Sequence, residues 1–184
     1  MPGSKVKYNI KNVHYAVKTE EGYDTPVPIP GAVSVSFEQQ GEITPFYADG
    51  VVYYQSASNG GYEGDLEVAL IPDSFRTDVL GEVADTNKVL FENVSASGKA
   101  FALGFQIDGD AGPTLFWFFN CTATRPNVES ETTEDTIEPG TDTLTISCTS
   151  NEDGDVRAKT APDVAEGIIE EWFDEVYTKN KVTA

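Results

Sequence analysis

The sequence predicts a mainly β protein: an antiparallel β-sandwich or partial barrel with a flanking α-helix and a C-terminal amphipathic helix. Three observations carry this. Apolar residues alternate with polar ones in many short runs, the period-two pattern of half-buried strands. Asp-Gly steps and Ser/Asn/Gly clusters punctuate those runs. The apolar period changes from two to nearly four between residues 162 and 178. The 184 residues suit a single domain, 1–184, with an N-terminal arm (1–5), a long loop (39–61) and the C-terminal helix (162–178). A chain of this size buries enough surface to fold without a disulfide staple.

Each element follows in chain order. Residues 6–18 place Val13, Tyr15 and Val17 on an apolar face and His14 on the opposite, polar one. In 20–31, Pro26, Pro28 and Pro30 remove backbone donors and fix φ, so the stretch reads as loop with an edge segment and not as a central strand. Val33, Val35 and Phe37 share one face of a strand over 32–37, and Gln39-Gln40-Gly41 reads as a turn. Residues 43–47 and 51–55 pair across Ala48-Asp49-Gly50, because Asp-Gly takes the left-handed conformation a tight hairpin needs. Residues 56–61 are polar and glycine-rich and read as a loop. The clearest strand is 62–70, with Tyr62, Gly64, Leu66, Val68 and Leu70 alternating with Glu63, Asp65, Glu67 and Ala69. Ile71-Pro72-Asp73 ends it. Asp73 then caps a short helix over 74–80, with Phe75 and Val79 one turn apart and Gly81 as its stop.

Further strands fall at 89–91, 101–107 and 114–124, the last two joined tightly through 108–112. Leu115-Phe116-Trp117-Phe118-Phe119 is apolar without alternation, so both of its faces should be covered. Residues 127–139 form an acidic loop carrying Glu129, Glu131, Glu134, Asp135 and Glu138. A Thr-rich strand over 141–149, a turn at 151–155 and a short strand at 156–160 follow. In the C-terminal helix Val164, Ile168, Trp172 and Val176 recur at i+4, with Ile169, Phe173 and Tyr177 beside them. Glu166, Glu170, Glu171, Asp174 and Glu175 face outward. Pro162 and Asp163 suit the first turn, and Lys179 and Lys181 the C-terminal side.

Composition excludes several function classes. Twelve Lys+Arg against thirty-one Asp+Glu give a net charge of −19, a balance that repels nucleic-acid phosphates and disfavours a sequence-reading DNA binder. The first ten residues lack the apolar segment of a secretory signal, and no run is long enough to span a bilayer, so synthesis inside the cell is the expectation. Cys121 and Cys148, both in strand-like runs, then read as small buried hydrophobes, with a disulfide as the minor alternative.

No catalytic or metal constellation emerges. His14, the sole histidine, lies in a strand pattern with no serine or cysteine motif beside it, and reads as a partly exposed strand residue. Asp108/Asp110 and Asp153/Asp155 are too short a series for a calcium loop and suit hairpin turns. Carboxylate pairs abound because the chain is acidic, and none stands out as an acid/base pair. Asn93-Val94-Ser95 and Asn120-Cys121-Thr122 match glycosylation acceptors by chance. Neither a catalytic residue, a metal nor a cofactor is expected. The aromatic stretch around Tyr47, Tyr53, Tyr54 and Tyr62 lacks the basic residues of a base-stacking surface, and reads as packing against the core or another subunit.

Several segments, in order along nearly the whole chain, resemble the major tail proteins of long, non-contractile-tailed bacteriophages. They are Val6-Lys7-Tyr8, Lys11-Asn12-Val13-His14-Tyr15-Ala16, Ile29-Pro30-Gly31-Ala32, Phe46-Tyr47-Ala48-Asp49 and Gly61-Tyr62-Glu63-Gly64. The run from Leu66 to Phe75, Leu80-Gly81, the run from Asn120 to Pro126, the run from Ile137 to Leu144 and Trp172-Phe173-Asp174-Glu175-Val176-Tyr177 complete the pattern. The resemblance implies a β-sandwich with a flanking helix that self-assembles into hexameric rings. Those rings stack into a tail tube, with the tape measure protein and other tail proteins as partners. DNA passes through an electronegative lumen without specific binding. The subunit is then made in the host bacterial cytoplasm and ends in the virion, with no membrane. It also implies that the excursion 39–61 reaches the adjacent ring, which makes Phe46, Tyr47, Asp49, Tyr53, Tyr54 and Tyr62 the candidate inter-subunit contacts. Two other readings stand beside it: a monomeric acidic β-sandwich that binds or adheres, and, last, a hydrolase using acidic residues.

Overall fold

In chain order, the strands and helices of the computed structural model are β1 (Lys7–Thr19), β2 (Gly22–Tyr23), β3 (Val27–Pro28), β4 (Ala32–Gln40), β5 (Ile43–Ala48), β6 (Val51–Ala57), β7 (Gly61–Val68), α1 (Asp73–Asp78), β8 (Val83–Ala84), β9 (Leu90–Phe91), β10 (Phe101–Gly109), β11 (Thr114–Ala123), β12 (Asp142–Cys148), β13 (Arg157–Lys159) and α2 (Glu166–Glu170). The structure describes residues 4–132 and 139–179. Residues 1–3 of the expected arm, Glu134, Asp135, Ile137 and Glu138 of the expected acidic loop, and Lys181 lie outside the described residues.

The main sheet runs β2-β1-β10-β11-β12-β7-β4, with β3 added to β1 and β13 to β11. Every pairing is antiparallel. The sheet curls until β1 and β4, near its two ends, approach each other without closing a barrel, which gives the expected sandwich-like, partly closed form. Two irregularities in β1 help it curl: Asn9 and Asn12 take φ of 56° and 54° beside its register shifts, and such bulges increase local twist. On the other side, Gly64 lets β4 and β7 approach closely. A Cβ there would lie 1.8 Å from the Ser36 carbonyl oxygen.

Inside the curl lies the larger core, with Val13, Tyr15, Leu66, Val68, Phe75, Phe101, Leu103, Phe105, Phe118, Leu144 and Ile146. α1 plugs one end of it through Phe75, whose ring meets Tyr15 and Phe101 edge-on at 5.1 and 5.4 Å. The Tyr15 hydroxyl donates to Asp78 Oδ2 at 2.9 Å, and burial raises its pKa to about 12. α1 begins one residue earlier than expected. Pro72 holds the N-cap position with no side-chain cap, and Asp73 sits in the first helical turn, where a carboxylate suits the positive end of the helix. Gly81 follows with φ +77°.

A second core covers the outer face of the sheet. Ala16, Ala102, Leu115, Trp117 and Phe119 pack there beneath Trp172 and Val176. The run 115–119 therefore has both faces buried, as its lack of alternation implies. His14 departs from the expectation. Its face is not a free polar one, because Phe173 stacks on the imidazole at 4.6 Å.

The C-terminal helix is a correction. Residues 162–178 bury Trp172 and Val176 and half-bury Val164, Ile168, Ile169, Phe173 and Tyr177, but only Glu166–Glu170 is helical, and turns follow from 171. Gly167 weakens the short helix, and Ala165 provides no side-chain cap. Tertiary bonding then overrides the period. The Trp172 carbonyl accepts the Trp117 indole N–H at 3.0 Å, and the Trp172 indole donates to the Phe116 carbonyl at 3.4 Å. A carbonyl turned toward the sheet is lost to the helical ladder.

Candidate assembly surface

The excursion expected over 39–61 is not a loop. Gln39 and Gln40 still pair with Tyr62 and Gly61 as the end of the β4–β7 ladder. Beyond them β5 and β6 form their own two-stranded sheet, closed by Asp49 and Gly50 at φ 51° and 77°. The hairpin signal at Asp49-Gly50 is thus realised, and β6 extends through residues 56 and 57, which the sequence placed in a loop. β4–β7 and β5–β6 form one long ribbon with a break at 41–42 and 58–60. Gly41 fixes that break, since a Cβ there would lie 2.2 Å from the Ser58 carbonyl oxygen. Bonds from Ser58 N to Glu42 O at 3.0 Å and from Gly60 N to Gln40 O at 2.6 Å hold the chain across it. With six residues in β5, the arm beyond the break is about 20 Å long.

Almost nothing in the arm is buried. Ile43, Phe46, Tyr47, Val51, Val52, Tyr53 and Tyr54 are between 47% and 74% exposed. Cross-strand partners point to the same side, so the Phe46–Tyr54 pair marks one face and the Tyr47–Val52 pair the other. Each face thus carries an aromatic, and neither rests on the body. A two-stranded hairpin alone is marginal in water, and apolar surface on both of its faces gains stability only when something else covers it.

Five of the six candidate contact residues, Phe46, Tyr47, Asp49, Tyr53 and Tyr54, are therefore brought together on this arm. Tyr62 is not among them. It lies at the arm's root on β7, half-buried, with its ring edge-on to Phe118 at 5.2 Å and beneath the Arg157 guanidinium at 5.3 Å. The sequence did not single out a second exposed apolar surface, the excursion between α1 and β10. There Val83 and Phe91 are direct cross-strand partners, 65% and 57% exposed, with Val89 and Val94 beside them in sequence at 51% and 99%. Arg125 ties this excursion down. Its Nε meets Glu92 at 2.9 Å, and its Nη2 donates to the carbonyls of Leu80 and Ala96 at 3.4 and 3.5 Å. The signal for it was weak, because Asp85, Asn87 and Asn93 break the apolar pattern.

The remaining candidates for chemistry resolve into scaffold roles. Asp108 meets Lys11 at 2.9 Å and accepts from Asn9 and Gln106, contacts that lower its pKa, with Lys11 first among them. Asp110 Oδ1 accepts the Lys5 backbone N–H at 2.7 Å, which fixes the start of the described chain against the 108–112 turn. Asp155 pairs with Lys179. Nδ1 of His14 lies 2.9 Å from the Asn12 carbonyl, and burial pulls its pKa below the ordinary value. Cys121 and Cys148 are buried and free, opposite each other in register with sulfurs 2.9 Å apart. Burial pushes the Cys121 thiol well up. Among the described residues no group of three or more His, Cys, Asp or Glu side chains is placed to hold a metal, and no helix is long and apolar enough to cross a membrane.

No protein-family model matches the sequence, and no curated protein matches it. Solved structures do share the fold. One is a chain of the anti-feeding prophage baseplate, solved by cryo-EM and six-fold symmetrised. It superposes with a TM-score of 0.52 at 10% identity, over 89% of this chain and all of that one. A chain of the extended sheath-tube complex of an extracellular contractile injection system, PVC, superposes less well, with a TM-score of 0.40 at 13% identity over 82% and 88% of the two chains. At 10% identity the first likeness establishes a common fold: this chain folds like a chain of the anti-feeding prophage baseplate.

Proposed function

We propose that the protein is a structural subunit of a phage tail, the tail-tube protein that stacks in hexameric rings around a DNA-conducting lumen. The observation that carries this reading is the arm over 43–57, a folded hairpin with seven large apolar side chains left in water. A monomer gains nothing from such an arm, whereas a subunit contacting its copies head to tail buries it at every repeat. Two facts support the reading. The fold is shared with a chain from a six-fold-symmetrised baseplate, and the net charge of −19 suits a channel wall that must not retain phosphates.

The test is negative-stain microscopy with light scattering on the purified chain over a range of concentration, alone and with an extract containing tail initiators. The reading expects rings or tubes of uniform width. It also expects a variant with 43–57 replaced by a short turn to fold but fail to stack. A strictly monomeric protein under all conditions overturns the reading and favours the acidic binding module. Tubes of normal length from the armless variant would instead show that stacking does not use the arm.

A further inference from the structure

We infer that the arm of one subunit docks on the 83–94 excursion of a second copy of the same chain, with Asp49 at the arm's tip paired to Lys88. This rests on the self-assembly proposed above and names the surface that receives the arm. Asp49 is the sole charged residue between 43 and 57. It is exposed, and the hairpin turn holds it at φ 51°. A carboxylate at the end of an apolar arm is repelled by most of a surface with thirty-one acidic residues, so its receiving site needs a cation set among exposed apolar side chains.

Lys88 meets that description. It is exposed, and among the described residues it has no ion-pair partner. It stands in a turn that Asp85 holds rigidly: Asp85 Oδ1 accepts the backbone N–H of Asn87 at 2.8 Å and of Val89 at 2.9 Å, and Lys88 itself has φ 68°. The β8–β9 ladder places Val83 and Phe91 on one side, and the alternation continues through the Asp85–Val89 bond, so Val89 falls on that side too. The result is a small apolar face with a cation at its turn, opposite in character to an apolar arm with an anion at its turn. The excursion is held in place by Arg125, which limits the ordering cost on its side of the docking.

Charge reversal tests the inference. The wild-type chain, Asp49→Lys, Lys88→Asp and the double variant Asp49→Lys with Lys88→Asp are compared by sedimentation velocity and negative stain at low salt. Circular dichroism melting confirms that each is folded. We expect each single reversal to raise the concentration needed for assembly about tenfold, by placing like charges together, and the double variant to return it toward wild type. Assembly of either single variant at the wild-type concentration, or a double variant no better than the singles, overturns the pairing while leaving self-assembly intact. A wild-type chain that forms no oligomer overturns self-assembly itself, and the docking with it.

Discussion

Replacing Phe46 and Tyr54 by alanine separates the folding of this chain from its assembly. The two rings are cross-strand partners on one face of the arm, 59% and 63% exposed. Within the monomer their removal loses only a hairpin pair, about 0.5 kcal/mol, and touches neither core. In the proposed assembly the cost should be far larger. An aromatic side chain carries about 200 Å² of surface, so each ring has about 120 Å² left to bury. At about 25 cal/mol per Å² that is about 3 kcal/mol. Alanine keeps part of it, so each truncation should weaken the inter-subunit contact by about 2 kcal/mol, or about thirtyfold. The double variant should raise the critical concentration for assembly by about three orders of magnitude if the two effects add. The assay is sedimentation velocity over a concentration series, with thermal melting of the unassembled subunit as the control. Assembly at the wild-type concentration would refute the reasoning, and so would a melting temperature lowered by more than about 5 °C, which would make the arm part of the subunit's own core.

Other predictions concern the scaffold. Gly64→Ala places a Cβ 1.8 Å from the Ser36 carbonyl oxygen and 2.8 Å from the Phe37 Cα; parting β4 from β7 should cost about 3 kcal/mol, read as a shift in the urea midpoint. Trp117→Phe leaves the Trp172 carbonyl without its donor and should cost about 3 kcal/mol. Because the chain has two tryptophans, Trp172 fluorescence then reports alone, and it should shift to the red as the C-terminal segment loosens. His14 has a folded pKa lowered from 6.5 by burial beneath Phe173. The unfolded chain therefore binds the proton more readily, and the contribution of neutral His14 is full above about 6.5 and lost as pH falls toward the lower folded value. Denaturant melts of His14→Gln should lack the wild-type loss of stability that sets in as pH falls below about 6.5.

The sequence made the strands legible wherever one face is buried and the other wet. Leu66 and Val68 against Glu63 and Asp65 is such a case. It also marked the arm, because Asp49-Gly50 requires φ > 0 at both positions and few other pairs tolerate that. Helical period was a poorer guide at 162–178. The side chains it assigned to the buried side are buried or half-buried, but the indole of Trp117 competes for the Trp172 carbonyl, and that partner is 55 residues away in the chain. Tyr62 was grouped with the arm by its chemistry and neighbours in sequence; its place over Phe118 follows from β7 pairing with β12, which no local pattern encodes. The strand expected at 89–91 is present as β9, but its partner β8 and the apolar exposure of the 83–94 excursion were not legible, because exposure of Val83 and Phe91 is a tertiary fact.

Hydrogen exchange over residues 43–57, measured in the free subunit and again after assembly, tests the central claim most directly. The account predicts rapid exchange in the free subunit, as for a hairpin with no tertiary contacts, and at least tenfold slower exchange once subunits associate. Equal protection of the arm in both states, or an arm that still exchanges freely within assembled particles, would contradict it.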